Sequence, residues 1–287
     1  MSAAALPAPE PVSALHPGAL LALLRLSLGG LTRFLRLLGL AALFAVPAVL
    51  ALVPRLVAFY GGAPLNLDQL FSMEMVFAFL LVPQAVVPLA CLLFGSGMIN
   101  DEIEDQTLTY LLIRPLQRWS IYVMKLLAAV LLVIALSAVF LPLLFGIIWY
   151  APPLAEVSAW EVLQRCGEYL VVISLAILAY TAVFGLLGLL TRRILIVGII
   201  YIAVFEGLLA NLPLLFRELT LMYYLRVLFL RWLALDGTAQ LWGIDLAAAP
   251  EAASCVATLL IVSGLATLLA GYLFSVREFR MKTPEGS

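Results

Sequence analysis

Six long apolar stretches, separated by short polar links, constrain what this chain can fold into. A helix needs about 20 apolar residues to cross the hydrocarbon core of a bilayer, and each of the six stretches is about that long. Of the 287 residues, 65% are hydrophobic and 11% are charged, whereas about 25% are charged in soluble domains. The sequence therefore predicts an all-α integral membrane protein. We place six transmembrane helices at about 37–59, 75–99, 119–149, 168–190, 194–212 and 254–275.

The distribution of Lys and Arg predicts the orientation of these helices. Of the 16 cationic residues, eleven fall on one side of the membrane and five on the other. The eleven are Arg25, Arg33, Arg36, Arg114, Arg118, Lys125, Arg192, Arg193, Arg277, Arg280 and Lys282. The positive-inside rule puts both termini in the cytoplasm, as an even number of spans requires. We expect a multi-pass protein of the inner (plasma) membrane, with a disordered tail at 1–16 and one transmembrane domain at 17–287.

Two further stretches are apolar but carry too much charge to be predicted as spans. In residues 17–36, Arg25, Arg33 and Arg36 fall within about 80° of one another on a helical wheel. This pattern predicts a helix that lies along the cytoplasmic interface with its arginines toward lipid phosphates. Residues 214–234 carry three arginines and a glutamate, which would be costly at the bilayer centre. An external interfacial helix or a re-entrant hairpin fits that stretch better.

The link between spans 2 and 3 is the most unusual segment of the chain. Asn100 or Asp101 can cap a helix, and the acids that follow suit a helix N-terminus, where the dipole favours negative charge. Leucines three and four residues apart form an apolar stripe, and an Arg-Pro pair ends the helix. The residues of this pattern are Glu102, Glu104, Asp105, Leu108, Leu111, Leu112, Arg114 and Pro115. The segment predicts a short amphipathic helix on a tight tether. The alternative is a solvated loop whose charges only keep it out of the membrane.

This segment resembles a motif of the permease subunits of ABC-2-type ABC transporters. Members often carry a stretch similar to Glu-x-Glu-Asp-Gly-Thr-Leu-x-x-Leu-Leu-x-Arg-Pro-x-x-Arg-Trp, with Lys a few residues later. The matching residues are Glu102, Glu104, Asp105, Thr107, Leu108, Leu111, Leu112, Arg114, Pro115, Arg118, Trp119 and Lys125. Gln106 stands where the family usually has Gly. A second stretch, from Phe205 to Leu212, is similar to the family's aromatic-Glu-Gly-Leu-Leu sequence in the fifth span, and the elbow-like N-terminal helix and six-span plan also agree.

The resemblance implies an exporter that works with separate ATPase subunits.

 Two permeases, either two copies of this chain or this chain and a homologous one, would face each other above two ATPases. The link would then be a coupling helix that docks on the ATPase through Asp101, Glu102, Glu104, Asp105, Thr107, Leu108, Leu111, Arg114, Pro115 and Arg118. The resemblance also implies the surrounding membrane lipid as a partner, and no nucleic acid.

The sequence itself argues that any ATP is bound by another chain. A phosphate-binding loop of the form Gly-x-x-x-x-Gly-Lys-Ser/Thr is missing, because Lys125 and Lys282 are the only lysines and neither follows a glycine. The only histidine, His16, lies in the predicted tail, and the three cysteines lack metal-site spacing. We therefore expect a non-catalytic membrane subunit without a cofactor of its own, with ATP and Mg²⁺ on the partner.

Glu206 and Asn211 are the polar residues that we single out within the membrane. An ionisable group inside a span indicates function by default, because it is costly there unless it is paired. The alternative is a packing role, in which Glu206 hydrogen-bonds a neighbouring helix through Tyr180 or Tyr201. Two other functions remain open: a proton-coupled secondary transporter that uses Glu206, and a non-transporting membrane anchor for a soluble ATPase. Gly185, Gly188 and Gly198 predict close helix approach rather than chemistry.

Overall fold

The computed structural model describes residues 17–31, 34–62, 65–104, 117–149, 157–191, 193–211, 215–233 and 242–276. Within these residues the regular structure is entirely helical. Six helices are long and apolar enough to cross a membrane, in agreement with the predicted number. The helices that carry them are span 1 (Phe34–Gly61), span 2 (Leu67–Met73, Glu74–Val86 and Val87–Glu104, end to end), span 3 (Arg118–Trp149), span 4 (Ala159–Leu190), span 5 (Ile194–Tyr201, Ile202–Leu208 and Leu209–Asn211) and span 6 (Ala252–Val276).

The predicted bounds are close at most ends but start too late for spans 2 and 4. Their apolar helices begin at Leu67 and Ala159, about eight residues before the predicted starts. Both early turns contain charge, which the hydropathy pattern excluded. The structure accommodates part of that charge because Glu74 of span 2 pairs with Arg165 of span 4. The two early turns therefore belong to the helices that cross the bundle.

The bundle has two ends, which we name by their links. At the near end lie the N-terminal helix (Pro17–Leu31), the link between spans 2 and 3, and the link between spans 4 and 5. A small apolar cluster of the N-terminal helix and spans 2, 3, 4 and 6 closes this end, and it includes Leu23, Met98, Tyr122, Leu189 and Phe274. At the far end lie the other links. Gly62 ends span 1 there with a φ of 66°, the left-handed conformation that glycine adopts at helix C-termini.

The predicted interfacial helix at 17–36 is wrong in extent. The N-terminal helix ends at Leu31, and Arg36 lies in the first turn of span 1. A single helical wheel therefore does not place Arg25 and Arg36 on one face. Arg25 is exposed on the N-terminal helix, while Arg33 lies outside the described residues, as does the predicted tail at 1–16.

Spans 2 and 4 form the centre of the bundle. Of their most apolar windows, 56% of the residues are buried, against 22–28% in spans 1, 5 and 6. Glycines allow the close approach, as predicted. A Cβ on Gly188 would lie 3.3 Å from the Ser96 backbone, and a Cβ on Gly185 would lie 2.6 Å from the Tyr122 hydroxyl. A Cβ on Gly198 would overlap Leu92 of span 2, so span 5 is also held close.

A short helix at Leu221–Trp232 packs inside the bundle between spans 5 and 6. At 12 residues it is about 18 Å long, too short to cross a bilayer. Nine of its residues are buried, including Phe229, which stacks on Tyr169 of span 4 with ring centroids 5.1 Å apart. We call it the buried helix. Its burial on nearly every side favours the re-entrant arrangement over a helix lying on the outer interface.

Candidate functional site

The acidic residues at the near end lie on an extension of span 2. The helix continues from Val87 to Glu104 without a break, six residues beyond the apolar segment that ends at Met98. Asp101, Glu102 and Glu104 therefore occupy the last turn of a long helix. The prediction that Asn100 or Asp101 caps a new helix is wrong, because residues 99–104 contain no glycine or proline to stop the existing one.

Most of the predicted coupling segment lies outside the described residues. This holds for Asp105, Thr107, Leu108, Leu111, Arg114 and Pro115. The described chain resumes at Gln117, and Arg118 is the first residue of span 3. Trp119 donates its indole N–H to Gln117 Oε1 at 2.6 Å, as suits an aromatic residue with one polar edge at a membrane interface.

A buried lysine ties the two helices that flank this segment. Lys125 of span 3 is 4% exposed, and its Nζ donates to the carbonyl of Met98 in span 2 at 3.0 Å. The contact lies where span 2 leaves its apolar segment. A hydrogen bond from Lys125 therefore links span 3 to span 2 directly before residues 99–104.

The second candidate region surrounds Glu206, which is fully buried. It lies in the last third of span 5, within the π-helical turn Ile202–Leu208. Its Oε1 accepts the Tyr201 hydroxyl at 3.1 Å, the partner expected of a packing role. Its Oε2 accepts the backbone N–H of Met222 at 2.9 Å. Both carboxylate oxygens are thus engaged, and one of them satisfies a free N–H in the first turn of the buried helix.

Arg226 completes this region from the buried helix. It is 2% exposed, and Nη1 donates to the Ala210 carbonyl at 3.1 Å. Nη2 donates to Asn211 Oδ1 at 2.9 Å and, more weakly, to Gln84 Oε1 of span 2 at 3.4 Å. The guanidinium also lies 5.5 Å from the centre of the Trp242 ring, a cation–π distance. Arginine keeps its positive charge in proteins, and Glu206 lies close enough to interact with that charge.

These contacts cap two helix ends reciprocally. Glu206 places negative charge at the N-terminus of the buried helix, and Arg226 places positive charge at the C-terminus of span 5. Each arrangement is the one that the helix dipole favours. The two partners of each pair, 206 with 222 and 210 with 226, are 16 residues apart in the sequence. The buried helix therefore begins at the same depth in the bundle as Glu206. Span 5 and the buried helix therefore form one polar unit, which we call the Glu206–Arg226 cluster.

Asn211 is the other intramembrane residue that we predicted, and the structure brings it into this cluster. Its side-chain oxygen accepts from Arg226, and its Nδ2 donates to the Gly207 carbonyl. The sequence analysis missed Arg226 as a partner. The available signal was a single charge within the apolar run Leu-Met-Tyr-Tyr-Leu-Arg-Val-Leu-Phe-Leu, which we interpreted only as a reason against a seventh span.

A second buried carboxylate, Glu74, was also missed. It is 2% exposed, and its Oε2 lies 3.2 Å from Arg165 Nη1. The Arg165 guanidinium in turn lies 5.4 Å from the centre of the Phe71 ring. Within the described residues, Glu74 Oε1 and the indole N–H of Trp149 are buried without a hydrogen bond. Glu74 and Arg165 join the starts of spans 2 and 4 at the far end.

The described residues contain no group of three or more His, Cys, Asp and Glu side chains placed to hold a metal ion. Cys91, Cys166 and Cys255 are free and buried. Among the described residues, the polar groups that the structure brings together are charges and hydrogen-bonding groups of neighbouring helices.

Comparison with known proteins agrees with the resemblance noted in the sequence. The family model described as an ABC-2 family transporter protein matches residues 33–209, which is more than half of the chain. The matched range includes spans 1 to 4, the link between spans 2 and 3, and Glu206. The search of curated proteins found no match.

Proposed function

Because this chain belongs to the ABC-2 transporter family, we propose that it is the permease subunit of an ATP-driven exporter and is moved by a separate ATPase. The ATPase would bind ATP and Mg²⁺, and two ATPases would serve two permeases. The permease would lie in the plasma membrane with the near end and both termini in the cytoplasm. This orientation is supported by the eleven cationic residues that the sequence places at that end.

The observation that carries this proposal is the continuous helical path of span 2. Its three segments follow one another without a loop from Leu67 to Glu104, and the middle one, Glu74–Val86, is π-helical. The α-helical segment Val87–Glu104 ends within the stretch that carries the family motif. A helix transmits an axial or tilting movement as a rigid element, whereas a flexible loop would absorb it. Closure of an ATPase pair against residues 101–118 would therefore tilt span 2 and, through the close contacts of Gly185 and Gly188, span 4.

The Glu206–Arg226 cluster supports a role in transmitting movement rather than in carrying protons. Both oxygens of Glu206 are held by donors, and Arg226 supplies a compensating charge nearby. A proton carrier needs a carboxylate that reaches a water path, and Glu206 is 0% exposed. Arg226 reaches Gln84 of span 2, so the cluster connects the helix of the coupling segment to span 5 and the buried helix.

The N-terminal helix would act as an interfacial elbow. It packs against span 3 through buried residues that include Leu23, and it exposes Arg25. We propose that Arg25 and Arg36 lie at the level of the cytoplasmic lipid phosphates, where each cation adds about 1 kcal/mol of attraction to an anionic surface.

The docking role is tested by reversing charge at the end of span 2. We expect Glu102→Lys with Glu104→Lys to leave membrane insertion and thermal stability unchanged, because these residues lie beyond the apolar segment. The wild-type chain, purified from its native membrane, should bring down an ATPase with a phosphate-binding loop. The double variant should lose that ATPase and the vanadate-sensitive ATP hydrolysis of the purified complex.

The matched control makes the same charge change at the far end. Glu218 and Glu251 are both exposed there, so Glu218→Lys with Glu251→Lys should retain the ATPase. Retention of the ATPase by the Glu102/Glu104 variant would refute the docking role of these acids. Transport that continues in reconstituted vesicles without ATP, driven by a proton gradient, would favour the secondary transporter instead. An ATPase that binds but supports no transport would favour the membrane anchor.

A further inference from the structure

Arg55 lies in span 1 near the far end of the bundle, on the side opposite most cations of the chain. Its Nε donates to the carbonyl of Ile147 at 3.0 Å, and its Nη2 donates to the carbonyl of Ile148. These carbonyls belong to the last turn of span 3, where helix carbonyls lack partners within the helix. Arg55 therefore joins the far ends of spans 1 and 3 and complements the dipole of span 3.

These two carbonyls use only part of the hydrogen-bonding capacity of Arg55. A guanidinium carries five N–H donors, and within the described residues Arg55 has no recorded acceptor other than Ile147 and Ile148. The side chain is half-buried, and none of its nitrogen atoms is both buried and without a partner, so the remaining donors are accessible from outside the bundle. Phe59 and Tyr60 lie about 6 Å further along span 1 and are 79% and 84% exposed, as in an aromatic belt at a membrane interface. The free donors are thus close to the depth of lipid headgroups.

An apolar groove runs from Arg55 toward the middle of the membrane. It has a volume of about 380 Å³ and is lined by Leu52, Arg55, Leu143, Gly146 and Ile147. Leu52 and Leu143 are 40% and 49% exposed on its walls. Gly146 forms the floor, and a Cβ placed there would meet nothing within 4 Å. The groove is therefore open to the surrounding bilayer along its length.

We propose that this groove is a binding site for an anionic phospholipid of the membrane leaflet at the far end. Its phosphate would accept the outward N–H donors of Arg55, and one acyl chain would lie along Leu52, Leu143 and Gly146. The groove matches such a lipid in charge and shape, because its cation lies at headgroup depth and its other lining residues are apolar. A bound lipid would fill the space between spans 1 and 3 beside Arg55.

A bilayer puts acyl chains against any apolar surface, so occupancy of the groove alone does not test the proposal. The distinguishing property is headgroup preference, because Arg55 is the one charged residue among the described residues that line the groove. One cation at the interface favours an anionic lipid by about fivefold. The test is independent of any ATPase, so its outcome is separate from that of the proposed function.

The experiment uses the full chain in mixed micelles that contain phosphatidylglycerol and phosphatidylcholine, with native mass spectrometry to count retained lipids. The wild-type protein should retain more phosphatidylglycerol than phosphatidylcholine, in part through the cations of the near end. Arg55→Gln should lower the retained phosphatidylglycerol by about one molecule per chain and leave the near-end contribution unchanged, since Gln keeps a donor to the carbonyls without the charge. Gly146→Leu should fill the floor and lower the retention of both lipids.

Gly264→Leu is the matched control, because Gly264 is another exposed glycine within a span whose Cβ position is open. It should retain lipids as the wild-type protein does. Equal retention of the two lipids by the wild-type protein would overturn the proposal, and this result does not depend on any variant folding. An unchanged preference in Arg55→Gln, or equal effects of Gly146→Leu and Gly264→Leu, would overturn it as well.

Discussion

Glu206 and Glu74, the two buried carboxylates among the described residues, are stabilised in different ways. Glu74 makes a direct ion pair with Arg165, which is 31% exposed, and one of its oxygens has no recorded hydrogen bond within the described chain. Glu206 makes no such pair with Arg226, yet both of its oxygens are engaged and each of the two charges caps a helix end. A charge inside a membrane protein can therefore be stabilised by the polar groups at helix ends, without an opposite charge in direct contact.

The two arrangements also differ in how many elements they connect. Glu74 and Arg165 join spans 2 and 4, which the glycine contacts already hold together. The Glu206–Arg226 cluster joins span 5, the buried helix and span 2. Loss of the cluster should therefore destabilise the bundle more than loss of the ion pair.

The largest effect is expected for Arg226→Met. This change removes three hydrogen bonds, leaves the carbonyl of Ala210 without a donor and removes the charge that compensates Glu206. Breaking one side of a buried charged group costs about 3–5 kcal/mol. Equilibrium unfolding in mixed micelles should show this loss. Arg217→Met, which removes a hydrogen bond to the carbonyl of Gly243 and a cation–π contact with Tyr223 from a more exposed arginine, is the control and should cost about 1 kcal/mol or less. Equal losses for the two variants would contradict the reciprocal capping.

Glu206→Gln should have the next largest effect, with a loss of about 1–3 kcal/mol in the free energy of unfolding. Gln keeps the shape of Glu but has one acceptor oxygen, so the Tyr201 hydroxyl or the Met222 N–H loses its partner. The same unfolding measurement checks it, and Glu161→Gln at an exposed position is the control. A variant as stable as the wild type but inactive in transport would argue for a functional proton at this site.

Glu74→Gln should cost about 1 kcal/mol, because solvent screens the partly exposed Arg165 and the change removes only one charge. A double-mutant cycle with Arg165→Gln isolates the interaction. Its coupling energy should be smaller than that of the cycle that combines Glu206→Gln with Arg226→Met. A larger coupling energy for the Glu74–Arg165 pair than for Glu206 and Arg226 would contradict this prediction.

The smallest effect on stability is expected for Gln84→Leu, at about 0.5 kcal/mol, because its contact to Arg226 is long at 3.4 Å and Arg226 keeps its other acceptors. The variant separates the effect of the cluster on stability from its effect on the transmission of movement between helices. If the cluster connects span 2 to span 5 during transport, Gln84→Leu should lower transport per ATP hydrolysed in the reconstituted complex while ATP hydrolysis continues. Unchanged coupling would limit the cluster to a structural role.

Most of the fold could be predicted from the sequence because the bilayer imposes a simple rule on apolar length. The six spans, and the close approach at Gly185, Gly188 and Gly198, followed from apolar runs and small residues. The starts of spans 2 and 4 did not, because hydropathy counts Glu74 and Arg165 as separate costs when they form a pair. The continuation of span 2 to Glu104 was also missed, since a cap residue within a helix looks the same in sequence as one at its start.

The candidate sites also differ in how much of each could be predicted from the sequence. The motif between spans 2 and 3 is contiguous, so the sequence alone indicated it. The partners of Glu206 are not: Met222 and Arg226 follow it by 16 and 20 residues and lie on a helix that returns into the bundle. Local periodicity carries no information on such a return. The Arg55 groove depends likewise on two spans that are far apart in the chain.

Six membrane-spanning helices, the resemblance to ABC-2 permeases and the lack of a phosphate-binding loop could all be read from the sequence alone. These properties depend on composition, on apolar length and on contiguous motifs. The tertiary structure decided where the charges inside the bundle find partners, because a charge in a low-dielectric interior is stabilised only by groups a few ångströms away. Those groups come from other helices, and their distances are set by packing rather than by order along the chain.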